Sequence, residues 1–232
     1  MKDSWKVIAI LVCVLFVISL VWQYFAVNST QQKLTDLQAR SAPLLEAYEA
    51  QMKANQPAPA PNPEDVKAGD SFFTGAAEAK TTLIVFTDFQ CPYCAKMHES
   101  IDAARKKFSS SDLKIVYRNF PLSGHPQALP AAKAVMAAGK QGKFIEMADL
   151  LFKNQTALAD DKYVEWAKQL KLNVSKFQED MKSAAVEEAI NKEKADGESY
   201  GVTGTPAAFL DGVQIGGALE ANALEAKIRE KL

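Results

Sequence analysis

Two cysteines, in Cys91-Pro92-Tyr93-Cys94, are the residues of this chain whose types and spacing best suit chemistry. They follow directly on an apolar, β-branched run, Thr81 to Phe89, and directly precede a segment with helical patterning. Proline loses no hydrogen bond at the first helical position, so the spacing makes Cys91 the helix N-cap. Its sulfur there faces unpaired backbone N–H groups and the positive end of the helix dipole, both of which favour a thiolate. Cys94 comes round beneath it and can close a small disulfide ring. An outer attacking sulfur and an inner resolving one are what exchange through a mixed disulfide requires.

Two plainer uses of the pair compete with redox chemistry. With His98 it forms a Cys-x2-Cys-x3-His set that could hold a metal, although no second cysteine pair is present to complete a structural site. A static disulfide is the other, but a loop this short restrains little of the chain. A second feature points toward exchange. Val202-Thr203-Gly204-Thr205-Pro206 precedes a strand-like run, where proline at the strand's start supplies no ladder donor. If Thr205-Pro206 is cis, the turn brings the N–H and C=O of Thr205 beside the sulfurs, ready to pair with an extended substrate segment. The chain has only two histidines, His98 and His125; the latter, before Pro126, reads as a turn residue with a minor role at the site's rim left open. No phosphate-cradling glycine loop or metalloprotease spacing is present.

The elements that must position these residues follow an α/β pattern after Asp70. A strand over Thr81–Phe89, buried on both faces, leads into a helix from Pro92 to about Phe108 and a strand from Leu113 to Phe120. Helical signals then dominate from His125 to Gly197, with Phe144, Met147 and Leu151 on one face. Asp160 precedes a helix carrying Tyr163, Trp166 and Leu170. Ser175 and Gln178 have capping-box spacing before Phe177 and Met181. Asp211-Gly212 between Ala207–Leu210 and Val213–Ile215 signals a hairpin, and Leu224, Ile228 and Leu232 mark a last amphipathic helix. The order is βαβ, a block of helices, then ββα.

Upstream, Val7 to Val27 carry no charged side chain. As a helix such a run spans roughly 30 Å, the hydrocarbon thickness of a bilayer. Trp5, Trp22 and Tyr24 lie near its ends, where interfacial aromatics are expected. A cleaved secretory signal is the alternative, but Tyr24 would stand where a cleavage site needs a small residue. Residues 1–28 therefore read as a signal anchor, with Cys13 sequestered in the bilayer. Residues 29–56 carry Leu34, Leu37, Leu44, Leu45, Tyr48 and Met52 at helical spacing, interrupted near Ser41 and Pro43, as a solvated spacer or a self-associating stalk. The prolines at 57, 59, 61 and 63 make an extended linker, so the globular domain covers 69–232.

The whole chain has 232 residues, with 27 basic and 28 acidic side chains and a net charge of −1. That balance excludes a design for binding polyanions, and nucleic acid is not an expected partner. Its three cysteines exclude a disulfide-dense scaffold.

Residues 70 to 232 resemble the DsbA family of thiol:disulfide oxidoreductases within the thioredoxin superfamily, most closely its membrane-tethered, BdbD-like branch. The resemblance rests on Phe86-Thr87-Asp88-Phe89-Gln90-Cys91-Pro92-Tyr93-Cys94, Arg118-Asn119-Phe120-Pro121-Leu122, His125, Gly142-Lys143-Phe144, Asp149-Leu150-Leu151-Phe152 and Gly201-Val202-Thr203-Gly204-Thr205-Pro206. It implies a thioredoxin fold with a helical domain inserted over about 125–198. It further implies Cys91 as nucleophile, Cys94 as resolving thiol, and Pro92, Tyr93, Thr205 and Pro206 on the substrate side. No cofactor beyond the cysteine pair and no metal is implied. By the same resemblance the domain works on the extracytoplasmic, periplasmic side of a bacterial cytoplasmic membrane, with exported proteins as clients and a membrane redox partner to reset the pair. Many family members carry a buried acid six residues before the first cysteine, where this chain has Val85. Asp88, facing opposite to Val85 in an alternating strand, is no obvious substitute. The expectation is a low-titrating Cys91 beside a Cys94 that stays protonated near neutrality. Three functions remain in play: a dithiol oxidase, an oligomeric isomerase or reductase, and a binding module that captures a soft metal or a client without turnover.

Overall fold

The computed structural model of the chain describes the backbone of residues 4–54, 66, 67, 69 and 71–232, with side chains described for 15–48 and from 66 onward apart from 68 and 70. It divides into two compact units, Met1–Pro57 and Ala58–Leu232. The first is a helix, α1 (Ser4–Ala54), which runs unbroken through Pro43. The proline removes one backbone bond and crowds one carbonyl, yet the flanking turns hold, with Asp36 and Arg40 paired at 3.0 Å. Leu34, Leu37, Leu44, Leu45 and Tyr48 are exposed. Among the described residues no helix is long and apolar enough to cross a membrane. Of the expected span at 7–27, the side chains of residues 7–14, Cys13 included, lie outside the described residues, as does the proline-rich linker at 56–63.

In the second unit the described residues form a five-stranded sheet, ordered β1-β3-β2-β4-β5. Its strands are β1 (Phe73–Thr74), β2 (Thr81–Thr87), β3 (Leu113–Asn119), β4 (Ala207–Leu210) and β5 (Val213–Gly216). The central β2 runs parallel to β3 and antiparallel to β4. Strand alternation sends Leu83 and Val85 to one face and Ile84 and Phe86 to the other, and both faces are covered. Helix α2 (Pro92–Lys107) connects β2 to β3. Five helices then intervene before β4: α3 (Ala128–Gly139), α4 (Phe144–Lys153), α5 (Asp160–Gln169), α6 (Val174–Lys182) and α7 (Ala184–Ser199). After the β4–β5 hairpin the chain closes with α8 (Ala221–Arg229). Asp211 and Gly212 both have positive φ, 48° and 79°, as the expected two-residue hairpin turn needs.

Three local expectations change. β1, only two residues long and paired antiparallel to β3, has no periodicity to detect. Helix α6 begins earlier than the Ser175–Gln178 spacing suggests: Asn173 is the N-cap, its Oδ1 accepting the Lys176 N–H at 3.0 Å, and Ser175 lies inside the helix. The Asn173 backbone is held in place by Gln141 at 2.9 Å, so tertiary contact chose between two adequate caps. Asp160 is the first residue of α5 rather than the one before it.

Gly197 on α7 lies against the sheet. A Cβ there would come within 2.8 Å of the Phe86 ring and 2.9 Å of the Phe120 ring. Intrinsic helix propensity favours alanine by about 1 kcal/mol, yet overpacking costs about 1–3 kcal/mol. Gly197→Ala is therefore expected to destabilise the domain, seen as a lower urea midpoint at an unchanged slope.

Candidate active site

β2 ends at Thr87, and the next four residues make the turn that presents the cysteines. Asp88 Oδ1 accepts the Gln90 N–H at 2.7 Å, and the Asp88 carbonyl accepts the Cys91 N–H at 3.1 Å. Cys91 is then the N-cap of α2, with Pro92 directly after it and no side-chain cap bond on the helix. The two residues between the cysteines face solvent, Tyr93 at 60% exposure, while the sulfur-bearing residues are buried. Cys91 is 4% and Cys94 1% exposed, and both are free thiols. The expected outer sulfur is thus nearly as enclosed as its partner. Two groups from elsewhere in the chain close over its turn. Thr205–Pro206 is cis, and the Thr205 carbonyl accepts the Cys91 thiol at 3.4 Å. From the turn after α4, Gln155 Nε2 donates to the carbonyls of Phe89 and Cys91, each at 2.9 Å.

The two sulfurs differ in electrostatics. A hydrogen bond from Cys94 outweighs burial and, with the Cys94 backbone N–H, lowers Cys91 to about 5. Cys94 moves the opposite way, well above the ordinary thiol range, because burial disfavours its charged form and its bond to Cys91 favours the protonated one. The main group resisting this rise is a backbone N–H, that of Asp88, which meets Cys94 Sγ at 3.4 Å. At neutral pH the reduced pair is therefore a thiolate with a neutral thiol beside it. That division of charge is the one exchange through a mixed disulfide requires.

The structure brings Cys91, Cys94, Thr205 and Pro206 together, with Pro92 and Tyr93 at the solvent side of the same turn. It does not bring His98 to the cysteines. His98 is buried, its Nδ1 3.1 Å from the Tyr117 hydroxyl and its Nε2 2.8 Å from Asp149. Among the described residues the one grouping of three or more potential metal ligands is His98, Asp102 and Asp149, without a cysteine. The Cys-Cys-His set is not assembled.

Sequence reasoning missed three contributors. Asp88 lies beyond the end of β2, so strand alternation does not govern it; its side chain is fully buried, with Oδ2 accepting from Leu122 N at 2.9 Å and pairing with His125 Nδ1 at 2.8 Å. Gln90 Oε1 accepts the Gln127 N–H at 2.7 Å, and Gln155 arrives from the helical insertion. A lone acid at the end of an apolar run was a readable signal for Asp88. Nothing local marks Gln155.

The family model Thioredoxin_4, described as thioredoxin, matches residues 67–230. Among curated proteins, the Na(+)/H(+) antiporter NhaA of Herminiimonas arsenicoxydans is 35% identical over 152 residues, 66% of this chain and 24% of the antiporter. NhaA 1 of Mycolicibacterium vanbaalenii is 34% identical over 153 residues, 65% of this chain and 25% of its own length. The chain thus spans about a quarter of the length of the curated relatives it matches. Among solved structures, the thiol-disulfide exchange protein alpha-DsbA2 of Wolbachia pipientis superposes with a TM-score of 0.65 at 20% identity, covering 72% of this chain and 90% of that one. Oxidised BdbD of Bacillus subtilis superposes with a TM-score of 0.64 at 18% identity, covering 75% and 96%.

Proposed function

Because the chain belongs to the thioredoxin family and shares the fold of DsbA-like thiol-disulfide exchange proteins, we propose that it is an extracytoplasmic thiol:disulfide oxidoreductase that forms disulfides in exported proteins. A client thiolate attacks Cys91 Sγ of the oxidised pair. The Cys91–Cys94 bond breaks, Cys94 leaves and takes up a proton, and a mixed disulfide joins client to Cys91. A second client thiolate then attacks the client's own sulfur and releases Cys91 as a thiolate. The client loses two electrons and gains a disulfide, and the pair is left reduced. Resetting it requires an oxidant, in this reading a membrane redox partner.

The observation that carries the oxidising direction is the split between the sulfurs. Cys91 is lowered to about 5, so the reduced pair is stabilised as a thiolate and Cys91 is a good leaving group. Thr205 supports the substrate-side role: its carbonyl already meets Cys91, and its buried Oγ1 has no hydrogen-bond partner among the described residues. The charge-free run at 7–27 supports a membrane anchor, and the exposed leucines of α1 leave homo-oligomerisation through 29–56 as part of the proposal.

The test is catalysed refolding of reduced ribonuclease by the oxidised protein, run beside insulin reduction and repair of scrambled ribonuclease. An oxidase restores ribonuclease activity and is poor in the other two assays. Activity only with scrambled ribonuclease would assign an isomerase, and stoichiometric capture without turnover a binding module.

A further inference from the structure

Both directions of exchange put negative charge on Cys94. It is the leaving group when a client attacks Cys91, and the attacking group when it resolves a mixed disulfide. Charge that develops in a dry site is best met by a donor already fixed in place. The N–H of Asp88, 3.4 Å from Cys94 Sγ, is such a donor. Its peptide closes β2, anchored on its far side by the Thr87 carbonyl, which accepts the Phe120 N–H at 2.8 Å.

On the other side the Asp88 side chain sets the direction of the N–H. The carboxylate is fully buried. It grips its own turn through Gln90 N at 2.7 Å, and the loop after β3 through Leu122 N at 2.9 Å and His125 Nδ1 at 2.8 Å. His125 is the outermost of these groups, with 29% of its side chain exposed, and it sits in a turn closed by its own N–H on the Leu122 carbonyl at 3.0 Å. One buried carboxylate thus joins the two loops at the end of the sheet and fixes the peptide facing the inner sulfur.

We propose that Asp88 and His125 are positioning residues for the resolving thiol: the carboxylate, gripped by His125, fixes the backbone N–H that holds the charge of Cys94 as it attacks or leaves. The inference rests on the exchange chemistry proposed above and adds residues to that site. Asp88→Asn keeps the size but turns an N–H toward Leu122 N–H, so one donor loses its acceptor and the peptide, held then only through the Thr87 carbonyl, can tilt its N–H away from Cys94. His125→Ala removes one grip, whereas His125→Asn retains an amide donor near the position of Nδ1.

Mixing the reduced protein with dithiobis(nitrobenzoate) separates the two sulfurs. Cys91 thiolate attacks the reagent, releasing one thionitrobenzoate and leaving a mixed disulfide. Cys94 then loses its proton to solvent and attacks Cys91 Sγ, releasing the second thionitrobenzoate and forming Cys91–Cys94. At neutral pH Cys91 is already ionised, so the first phase is insensitive to the peptide of Asp88. In stopped-flow measurement Asp88→Asn is expected to slow the second phase by about tenfold and His125→Ala by about threefold. First phases should stay within about twofold, and His125→Asn should behave as wild type. An unchanged second phase, or equal slowing of both phases, overturns the proposal. If Asp88→Asn does not fold, the two His125 variants decide. Absence of a first phase in the unaltered protein would instead sink the oxidoreductase reading itself.

Discussion

Cys91→Ser is expected to abolish thiol–disulfide exchange, by roughly 10³-fold or more, while leaving the fold intact. A serine hydroxyl is not ionised at neutral pH, whereas Cys91 is lowered to about 5, and a nucleophile that acts as part of a unit takes most of the rate with it when removed. Cys94→Ala should fail differently. Cys91 can still attack a disulfide, but nothing behind it resolves the product, so the variant accumulates a stable mixed disulfide with one equivalent of client. Non-reducing gels and intact mass distinguish the two. A binding module predicts that the unaltered protein also stops at one equivalent, so turnover by the wild type and arrest only in Cys94→Ala decide against it. Retained activity in Cys91→Ser would remove the cysteine pair from the mechanism.

The pH dependence should be as large. Alkylation of reduced wild-type protein by iodoacetamide reports the Cys91 thiolate and is expected to have its midpoint near pH 5. The leading cause of that lowering is the hydrogen bond from Cys94. Cys94→Ala removes it, and the midpoint should climb toward the free-thiol value of about 8.5. A stability signature follows with a definite sign. A depressed folded-state value stabilises the reduced fold, an effect fully present above the unfolded thiol value and lost as pH falls through about 5. Cys94, raised by burial, works the other way: once pH exceeds the unfolded value, unfolding releases a proton that the fold retains, and stability drops. The urea midpoint of the reduced protein, relative to the oxidised, should therefore rise from about pH 5 to about 8.5 and decline beyond. A flat difference would contradict the assignment of charge to Cys91.

Much of the fold was legible because its signals are local. The run at 81–89 is apolar without gaps, and β2 is indeed covered on both faces. Asp211-Gly212 suits only a tight turn, and both residues have the positive φ it needs. Pro92 and the cysteine before it predicted the start of α2 to the residue. Expectations failed where two local solutions were equally good, as at Asn173 against Ser175, or where an element is too short to carry a period, as at β1.

The active site divides along the same line. The sequence alone singled out the two sulfurs proposed to react, because a Cys-x2-Cys pair straddling a helix start creates its own geometry and field, and covalent spacing carries that information. It also placed the helix dipole and the proline loop in chain order. The split of charge between the sulfurs was already expected from their places on the helix, and only the tertiary structure decided what encloses them. The Thr205 carbonyl is more than a hundred residues away, at 3.4 Å from Cys91. Gln155 crosses from the helical insertion, and Asp88 turns from the expected strand face to bind Leu122 and His125. Hydrogen bonds between distant segments leave no period or spacing in the chain. They exist only once packing has brought the loops together and burial has made an unpaired polar group expensive.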